Sequence, residues 1–229
     1  MSRHFRVLLI ACVVLSLAPL APGLVAGEAP GSGPDVVSTL WGMWWFQQSW
    51  TGAAWSGWTD LVNHPHGAWG TVLSPSSAIL WSVLEPIFGS GRASGLVGWA
   101  QIGSLSMATA WLARVAGASW LSAGLAGVAI LVGRLLFFGL GEGSVVAISA
   151  LPIPLGLVGL MRLQRSDAPG GTRRWTALAV GSMAWTAMEN PYLAPVLPAM
   201  AALMIFMQVI RSRQEEAQGQ VGYEGVVRL

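Results

Sequence analysis

The segment that separates the two apolar blocks of this chain begins Asp35-Val-Val-Ser-Thr-Leu-Trp-Gly-Met-Trp-Trp-Phe46. Its large apolar residues recur at intervals of three and four, which is the period of one face of an α-helix. The members of this apolar stripe are Val37, Leu40, Trp41, Trp44 and Trp45. Eight of the thirteen tryptophans fall between Trp41 and Trp81, and tryptophan favours the membrane interface. The pattern predicts an amphipathic helix that lies at a membrane surface.

The composition indicates that much of the chain is surrounded by lipid. Of its 229 residues, 54% are hydrophobic and only 10% are charged, and the mean hydropathy is +0.60. A soluble domain carries about 25% charged residues. All twelve basic residues are arginine, and the net charge of +2 is too small to indicate nucleic-acid binding. With Cys12 as the single cysteine, neither a disulfide nor a cysteine-based metal site can form within one chain.

The apolar runs predict an all-α fold, namely a polytopic bundle of about six transmembrane helices. The first span covers residues 7–26; we favour a retained span, with a cleaved signal peptide as the alternative. Pro75–Phe88, ended by Gly89, is short for a span and predicts a re-entrant or interfacial helix. The remaining spans are expected at 95–113, 119–136, 144–161, 175–188 and 192–210, with Pro152 and Pro154 inside the fourth span.

These spans divide the chain into four parts. Residues 1–26 form the first transmembrane helix or signal anchor, and 27–94 form an outer, periplasmic loop with Trp-rich interfacial helices. Residues 95–213 form the transmembrane bundle, and 214–229 form a polar cytoplasmic tail. Small residues, namely Ala123 with Gly127 and Gly156 with Gly159, are expected to allow close helix contact.

The charges favour one orientation in the cytoplasmic (inner) membrane, with both termini cytoplasmic. In that orientation seven arginines lie inside: Arg114, Arg162, Arg165, Arg173, Arg174, Arg211 and Arg213. Five of the ten acidic residues lie outside: Asp35, Asp60, Glu85, Glu142 and Glu189. The outer face is therefore where a site is expected.

Asp35 is the first candidate on that face. It is placed to cap the Trp-rich helix, or alternatively to act as a base that deprotonates an acceptor hydroxyl. Asp60, His64 and His66 are either polar turn residues or substrate ligands. Because a metal needs three or four ligands in fixed geometry, we predict no metal site, although a divalent metal would suit these residue types.

Arg134, Glu142 and Glu189 complete the predicted substrate-binding set. Arg134 near the end of a span either extends its guanidinium to the headgroups or binds a lipid-linked phosphate. Glu142 pairs with Arg134 or is an ordinary loop residue, and Glu189 is expected in a connection between spans. No ionisable residue is expected at mid-span, which disfavours a transporter.

The order of motifs resembles the N-terminal half of polytopic bacterial glycosyltransferases of the GT-C fold. It runs from a basic start and first span through Asp35, Leu40-Trp-x-x-Trp-Trp45 and Asp60 to Pro65-His-Gly67. Gly141-Glu142 and Leu151-Pro-x-Pro-Leu155 are similar to their middle spans, so that the resemblance covers roughly residues 1–210. It implies inverting transfer of a sugar from a polyprenyl-phosphate donor at the outer face, with the Asp35 carboxylate as the catalytic base.

Six spans are fewer than that family usually has, so the resemblance also implies a truncated or half enzyme. The alternative function is a non-catalytic membrane subunit whose Trp-rich outer loop docks a lipid or a protein partner. No cofactor is predicted under either hypothesis. Membrane lipid is the expected partner under both hypotheses, and a membrane protein is a further expected partner.

Overall fold

The computed structural model describes residues 7, 10, 11, 14, 21–28, 34–51, 58–59, 68–69, 74–133, 150–165, 169–189 and 193–227. Within these residues the chain is helical apart from one short strand pair, which confirms the all-α fold class. The helices are α1 (Ala21–Ala26), α2 (Pro34–Thr51), α3 (Pro75–Phe88), α4 (Ser90–Val115), α5 (Trp120–Val132), α6 (Pro152–Gln164), α7 (Pro169–Glu189) and α8 (Val196–Val227).

The strand pair lies between α2 and α3 and was not predicted. Strand β1 (Trp58–Thr59) pairs antiparallel with β2 (Ala68–Trp69), so that Trp58 is opposite Trp69. Aromatic residues favour strands and stabilise cross-strand pairs. The pairing also brings Thr59 opposite Ala68.

Helix α2 confirms the predicted Trp-rich helix, but the residues of its apolar stripe are not all buried together. Val37 and Trp44 in the centre of the stripe are exposed, with Val37 73% accessible. Trp45 at the edge of the stripe and Met43 outside it are buried, and Met43 belongs to the core that includes Trp81 of α3. The centre of the stripe therefore faces away from the rest of the bundle.

Helices α3 and α4 form a hairpin around Gly89. Helix α3 spans Pro75–Phe88 as predicted, with proline at its first position, where no backbone N–H is needed. Gly89 ends it at a φ of 78°, a conformation that glycine adopts without strain. Helix α4 begins at Ser90, earlier than expected, and supplies Ala93, Val97 and Ile102 to the core.

Helices α5, α6 and α7 complete the bundle. Ser119 caps α5 by accepting the Ser122 N–H at 3.1 Å. Helix α6 begins at Pro152, so the expectation of two prolines inside a span was wrong: both lie in the first turn, where proline is tolerated. Helix α7 begins at Pro169, before the expected start at residue 175, so Arg173 and Arg174 are helical.

Close contact between α6 and α7 confirms the role expected of Gly156 and Gly159. A Cβ atom added to Gly159 would lie 2.8 Å from the backbone nitrogen of Ala179. One added to Gly156 would lie 2.7 Å from the Leu197 side chain of α8 and 3.1 Å from Ser182 of α7. At Gly159 the added atom would meet backbone, so only glycine lets α6 and α7 approach so closely there.

Helix α8 continues to Val227 and so includes part of the predicted polar tail. Across the described residues, none of the helices combines the length and the apolar character that crossing a bilayer requires.

Candidate functional site

Most of the predicted site residues lie outside the described residues: Asp60, His64, His66, Arg134 and Glu142. Asp35 is the second residue of α2, since the helix begins at Pro34, and its side chain lies outside the described part of the structure. Asp35 is therefore in the first turn rather than at the N-cap position. Glu189 is the one predicted site residue whose side chain the structure describes.

Glu189 is the last residue of α7 and its side chain is 2% exposed. Its Oε1 atom accepts hydrogen bonds from the hydroxyls of Ser74 and, at 2.6 Å, Ser76. Its Oε2 atom accepts the Ser76 backbone N–H at 3.2 Å and the Trp185 indole N–H at 3.3 Å. The carboxylate thus joins the C-terminal end of α7 to the N-terminal end of α3.

The N-terminus of α3 explains why a carboxylate from another helix lies there. Ser74, in the N-cap position, has a φ of 73°, and its hydroxyl makes no capping bond to α3. The first N–H groups of a helix lack partners within the helix and carry partial positive charge. Glu189 accepts the N–H of Ser76 and so supplies the cap that Ser74 does not provide.

The polar cluster extends from α3 to α4 through Gln101. The Gln101 side-chain amide donates to the hydroxyls of Ser76 at 3.1 Å and Ser77 at 3.0 Å. The Ser74 and Ser77 hydroxyls are also hydrogen-bonded, at 2.6 Å. Because Gln101 lies about halfway along α4, this cluster is near the middle of the bundle and not at its end.

The cluster, consisting of Ser74, Ser76, Ser77, Gln101, Trp185 and Glu189, satisfies its own hydrogen-bonding groups. Four donors use the four acceptor positions of the Glu189 carboxylate. Among the described residues, no buried side-chain nitrogen or oxygen atom lacks a partner. In this arrangement the carboxylate has no free lone pair for a substrate proton, and the cluster acts as a polar clamp between α3, α4 and α7.

The partners of Glu189 were not predicted from sequence. Ser74 and Ser76 flank the proline that predicts the start of α3, and this Ser-Pro-Ser-Ser sequence was the available signal for a polar helix end. A second signal was Gln101, an uncharged but strongly polar residue within the predicted span of 95–113.

Arginines gather at the opposite end of α7 from Glu189. Arg165 at the end of α6 donates to the Val115 carbonyl at the end of α4, at 2.6 Å. The Arg114 guanidinium lies 3.9 Å above the Trp120 ring. Arg162 lies 5.9 Å from the Trp175 ring at the start of α7. The C-terminal ends of α4 and α6 and the starts of α5 and α7 therefore form one arginine-rich end.

Among the residues that the structure describes, no group of three or more His, Cys, Asp or Glu residues could hold a metal ion. The chain matches none of the known protein families, curated proteins or solved structures with which it was compared. The candidate site is therefore defined by its geometry alone.

Proposed function

We propose that this protein is a helical integral membrane subunit, non-catalytic, whose outer surface is covered by lipid. The observation that carries the proposal is the distribution of polarity. Among the described residues, the buried polar ones are Ser74, Ser77, Ser94, Gln101, Ser106, Ser182, Thr186 and Glu189. The exposed large apolar residues include Ile79, Val83, Ile87, Leu121, Leu125, Val180, Leu203, Ile205 and Phe206. Polar residues that face the bundle interior and apolar residues that face outward are typical of helices in a bilayer.

Helix α3 illustrates this distribution within one element. Ile79, Val83 and Ile87 recur every fourth residue and are 49%, 61% and 69% exposed. Ser77 and Trp81 on the other face are buried. In water these apolar side chains would remain hydrated, whereas lipid covers them without cost.

Helix α4 supports the same proposal although its mean hydropathy is modest. Its 26 residues extend about 39 Å, longer than the roughly 30 Å hydrocarbon core of a bilayer. Three of its polar residues, Ser94, Gln101 and Ser106, are buried, and the Ser106 hydroxyl donates to the Gly127 carbonyl at 2.7 Å. Hydropathy averages both faces of a helix, while lipid contacts only the outer one.

The arginine-rich end supports an orientation for this subunit. Arg114 and Arg162 lie over tryptophan rings, and this combination suits a membrane interface, where tryptophan is enriched. Under the positive-inside rule that end faces the cytoplasm. In this orientation the start of α7 is cytoplasmic and Glu189 lies deeper in the membrane.

The clamp supports a non-catalytic role for Glu189, because its carboxylate oxygens are occupied by donors from α3 and α7. The exposed residues Val37 and Trp44 of α2 provide the surface on which this subunit contacts the lipid interface. Glycosyl transfer stays a separate prediction, since it depends on Asp35.

Two single substitutions to arginine, each at an exposed position, test the membrane proposal. Leu125→Arg places a charge on the outer face of α5, where Leu125 is 62% exposed; in lipid this costs about 2.5–3.5 kcal/mol. Ala116→Arg, at the exposed turn beside Arg114, is the matched control and changes stability by about 0.5 kcal/mol or less. We expect the parent and Ala116→Arg to resist alkaline extraction from membranes and Leu125→Arg to be depleted there. A parent protein that alkaline buffer releases, or a Leu125→Arg protein as stable as the control, would refute the proposal.

A further inference from the structure

Five arginines lie together where α4 and α6 end and α7 begins, and we call them the arginine patch: Arg114, Arg162, Arg165, Arg173 and Arg174. All of them except the half-buried Arg114 are exposed. The segments that supply the patch, residues 111–120 and 161–176, contain one acidic residue, Asp167, which lies outside the described residues. If Asp167 pairs with one arginine, four positive charges remain. The patch is therefore a strongly positive surface.

Contacts between the helices hold the members of the patch close to one another. Arg165 donates to the carbonyl of Val115, at the end of α4, at 2.6 Å. Arg162 lies one turn before Arg165 on α6. Its guanidinium lies 5.9 Å from the ring of Trp175, the residue that follows Arg174 on α7. Positive charges from three helices thus converge on one surface, although they are remote in sequence.

Two of the guanidinium groups are already oriented by the fold. Arg114 lies 3.9 Å above the Trp120 ring and donates to the Ala118 carbonyl, and Arg165 is oriented by its bond to Val115. A guanidinium has five N–H groups, and each of these bonds uses one of them. A tryptophan ring contacts only the flat face of the group. Because these side chains are held in place, binding an anion costs them less conformational freedom.

The position of the patch favours the phosphate of a lipid headgroup as its ligand. Helix α4 is about 39 Å long, longer than the roughly 30 Å hydrocarbon core, so its last turn with Arg114 reaches the headgroup region of the proposed bilayer. Trp120 and Trp175 suit the same level, since tryptophan is enriched at the interface. Arginine binds phosphate oxygens through two parallel N–H···O bonds. An anionic phospholipid brings a negative charge that no cation of its own balances.

We propose that the arginine patch binds the phosphate of an anionic phospholipid in the cytoplasmic leaflet, chiefly through Arg162 and Arg174 beside Trp175. This rests on the proposed function, because only a membrane-embedded bundle brings the patch to lipid headgroups. The bound lipid would join the end of α6 to the start of α7. It would also offset the mutual repulsion of the arginines that the fold brings together.

Native mass spectrometry of the full-length protein in detergent tests the proposal. Phosphatidylglycerol, which is anionic, and phosphatidylcholine, which has no net charge, are titrated separately, and the Kd of the first bound lipid is measured. One arginine near an anionic headgroup changes the affinity about fivefold. We expect phosphatidylglycerol to bind at least about fivefold more tightly than phosphatidylcholine.

Single substitutions to glutamine provide the matched comparison. Arg162→Gln should weaken phosphatidylglycerol binding about fivefold and leave phosphatidylcholine binding unchanged. Arg174→Gln should give the same loss and is the second test if Arg162→Gln does not fold. Arg92→Gln is the control, because it removes the same charge at the opposite end of α4, where Arg92 is exposed and donates to the Leu24 carbonyl at 3.3 Å. It should bind phosphatidylglycerol as tightly as the parent.

A soluble ligand distinguishes a headgroup site from a site for free phosphate. Glycerol 3-phosphate has the phosphate of the headgroup without the acyl chains, and it should not bind at the concentrations that saturate the protein with phosphatidylglycerol. Binding of glycerol 3-phosphate as tight as that of the lipid would overturn the lipid assignment.

Flotation of the parent protein with phosphatidylcholine vesicles after an alkaline wash separates this proposal from the membrane proposal. Equal affinities for the two lipids, or equal losses in Arg162→Gln and Arg92→Gln, would overturn the patch assignment. A patch that binds an acidic protein segment instead would give this result. If the protein still floats with the vesicles, the membrane proposal stands. Failure to float would overturn both proposals.

Discussion

Removing the Glu189 carboxylate should destabilise the fold more than removing any exposed acidic group. In Glu189→Ala the hydroxyls of Ser74 and Ser76 rotate toward other acceptors. The Ser76 backbone N–H and the Trp185 indole N–H are fixed in direction and lose their partner. Each unsatisfied donor costs about 1–3 kcal/mol, so the two together cost about 2–6 kcal/mol. This is a large fraction of the roughly 5–15 kcal/mol that stabilises a typical protein.

Thermal unfolding of the purified protein in detergent measures this loss. For a chain of this size 1 kcal/mol corresponds to about 2–4 °C, so Glu189→Ala should lower Tm by at least about 4 °C. Glu189→Gln should cost less, about 1–2 kcal/mol. Its amide oxygen accepts the two fixed N–H groups, and its NH2 group faces hydroxyls that can turn to accept.

Glu85→Ala is the control, because Glu85 accepts one exposed hydrogen bond, from Ser90 at 3.2 Å. It should change stability by about 0.5 kcal/mol or less. The clamp would be disproved by a Glu189→Ala protein that unfolds with the parent, or by equal losses in Glu189→Ala and Glu85→Ala.

Three further predictions concern other parts of the chain. Gly159→Ala should destabilise the protein by about 1–3 kcal/mol, because its Cβ would meet the Ala179 backbone at 2.8 Å. The control Gly181→Ala, whose Cβ would have nothing within 4 Å, should be neutral or stabilise the protein by up to about 1 kcal/mol. Equal Tm values for the two variants would contradict the close helix contact. If the glycosyltransferase hypothesis holds, Asp35→Asn should abolish sugar transfer from a polyprenyl-phosphate donor, and unchanged transfer would exclude Asp35 as the base. Changing Arg173 and Arg174 together to Glu should weaken the preference for a cytoplasmic α7 start, and reporter fusions that show the parental orientation would contradict that assignment.

Local sequence signals predicted the ends of a helix well where proline or glycine marks them. Pro75 and Gly89 mark the ends of α3 because proline needs no N–H in the first turn and glycine adopts a positive φ. Hydropathy alone was less reliable: a span was expected to begin at residue 144, but α6 begins at Pro152. An apolar run does not indicate where a helix starts inside it.

The site was only partly predictable, because its contacts are remote in sequence. Glu189 was among the candidates, but Ser74 is separated from it by 115 residues. Glu189 and Ser74 meet because the start of α3 lies beside the end of α7. Tertiary packing decides that position, and no local sequence pattern indicates it. The expectation of a loop at Glu189 followed from the Asn-Pro sequence after it, whereas the carboxylate is buried in the clamp.

The polarity of the outer surface is tested most directly by spin labels in lipid vesicles. Single cysteines replace Leu125 and Arg173 in a Cys12→Ser protein, and collision rates with oxygen and with a water-soluble nickel chelate are compared. We expect the label at Leu125 to collide more with oxygen, which dissolves in lipid, and the label at Arg173 to collide more with nickel. A Leu125 label as accessible to nickel as the Arg173 label would contradict a lipid-covered bundle.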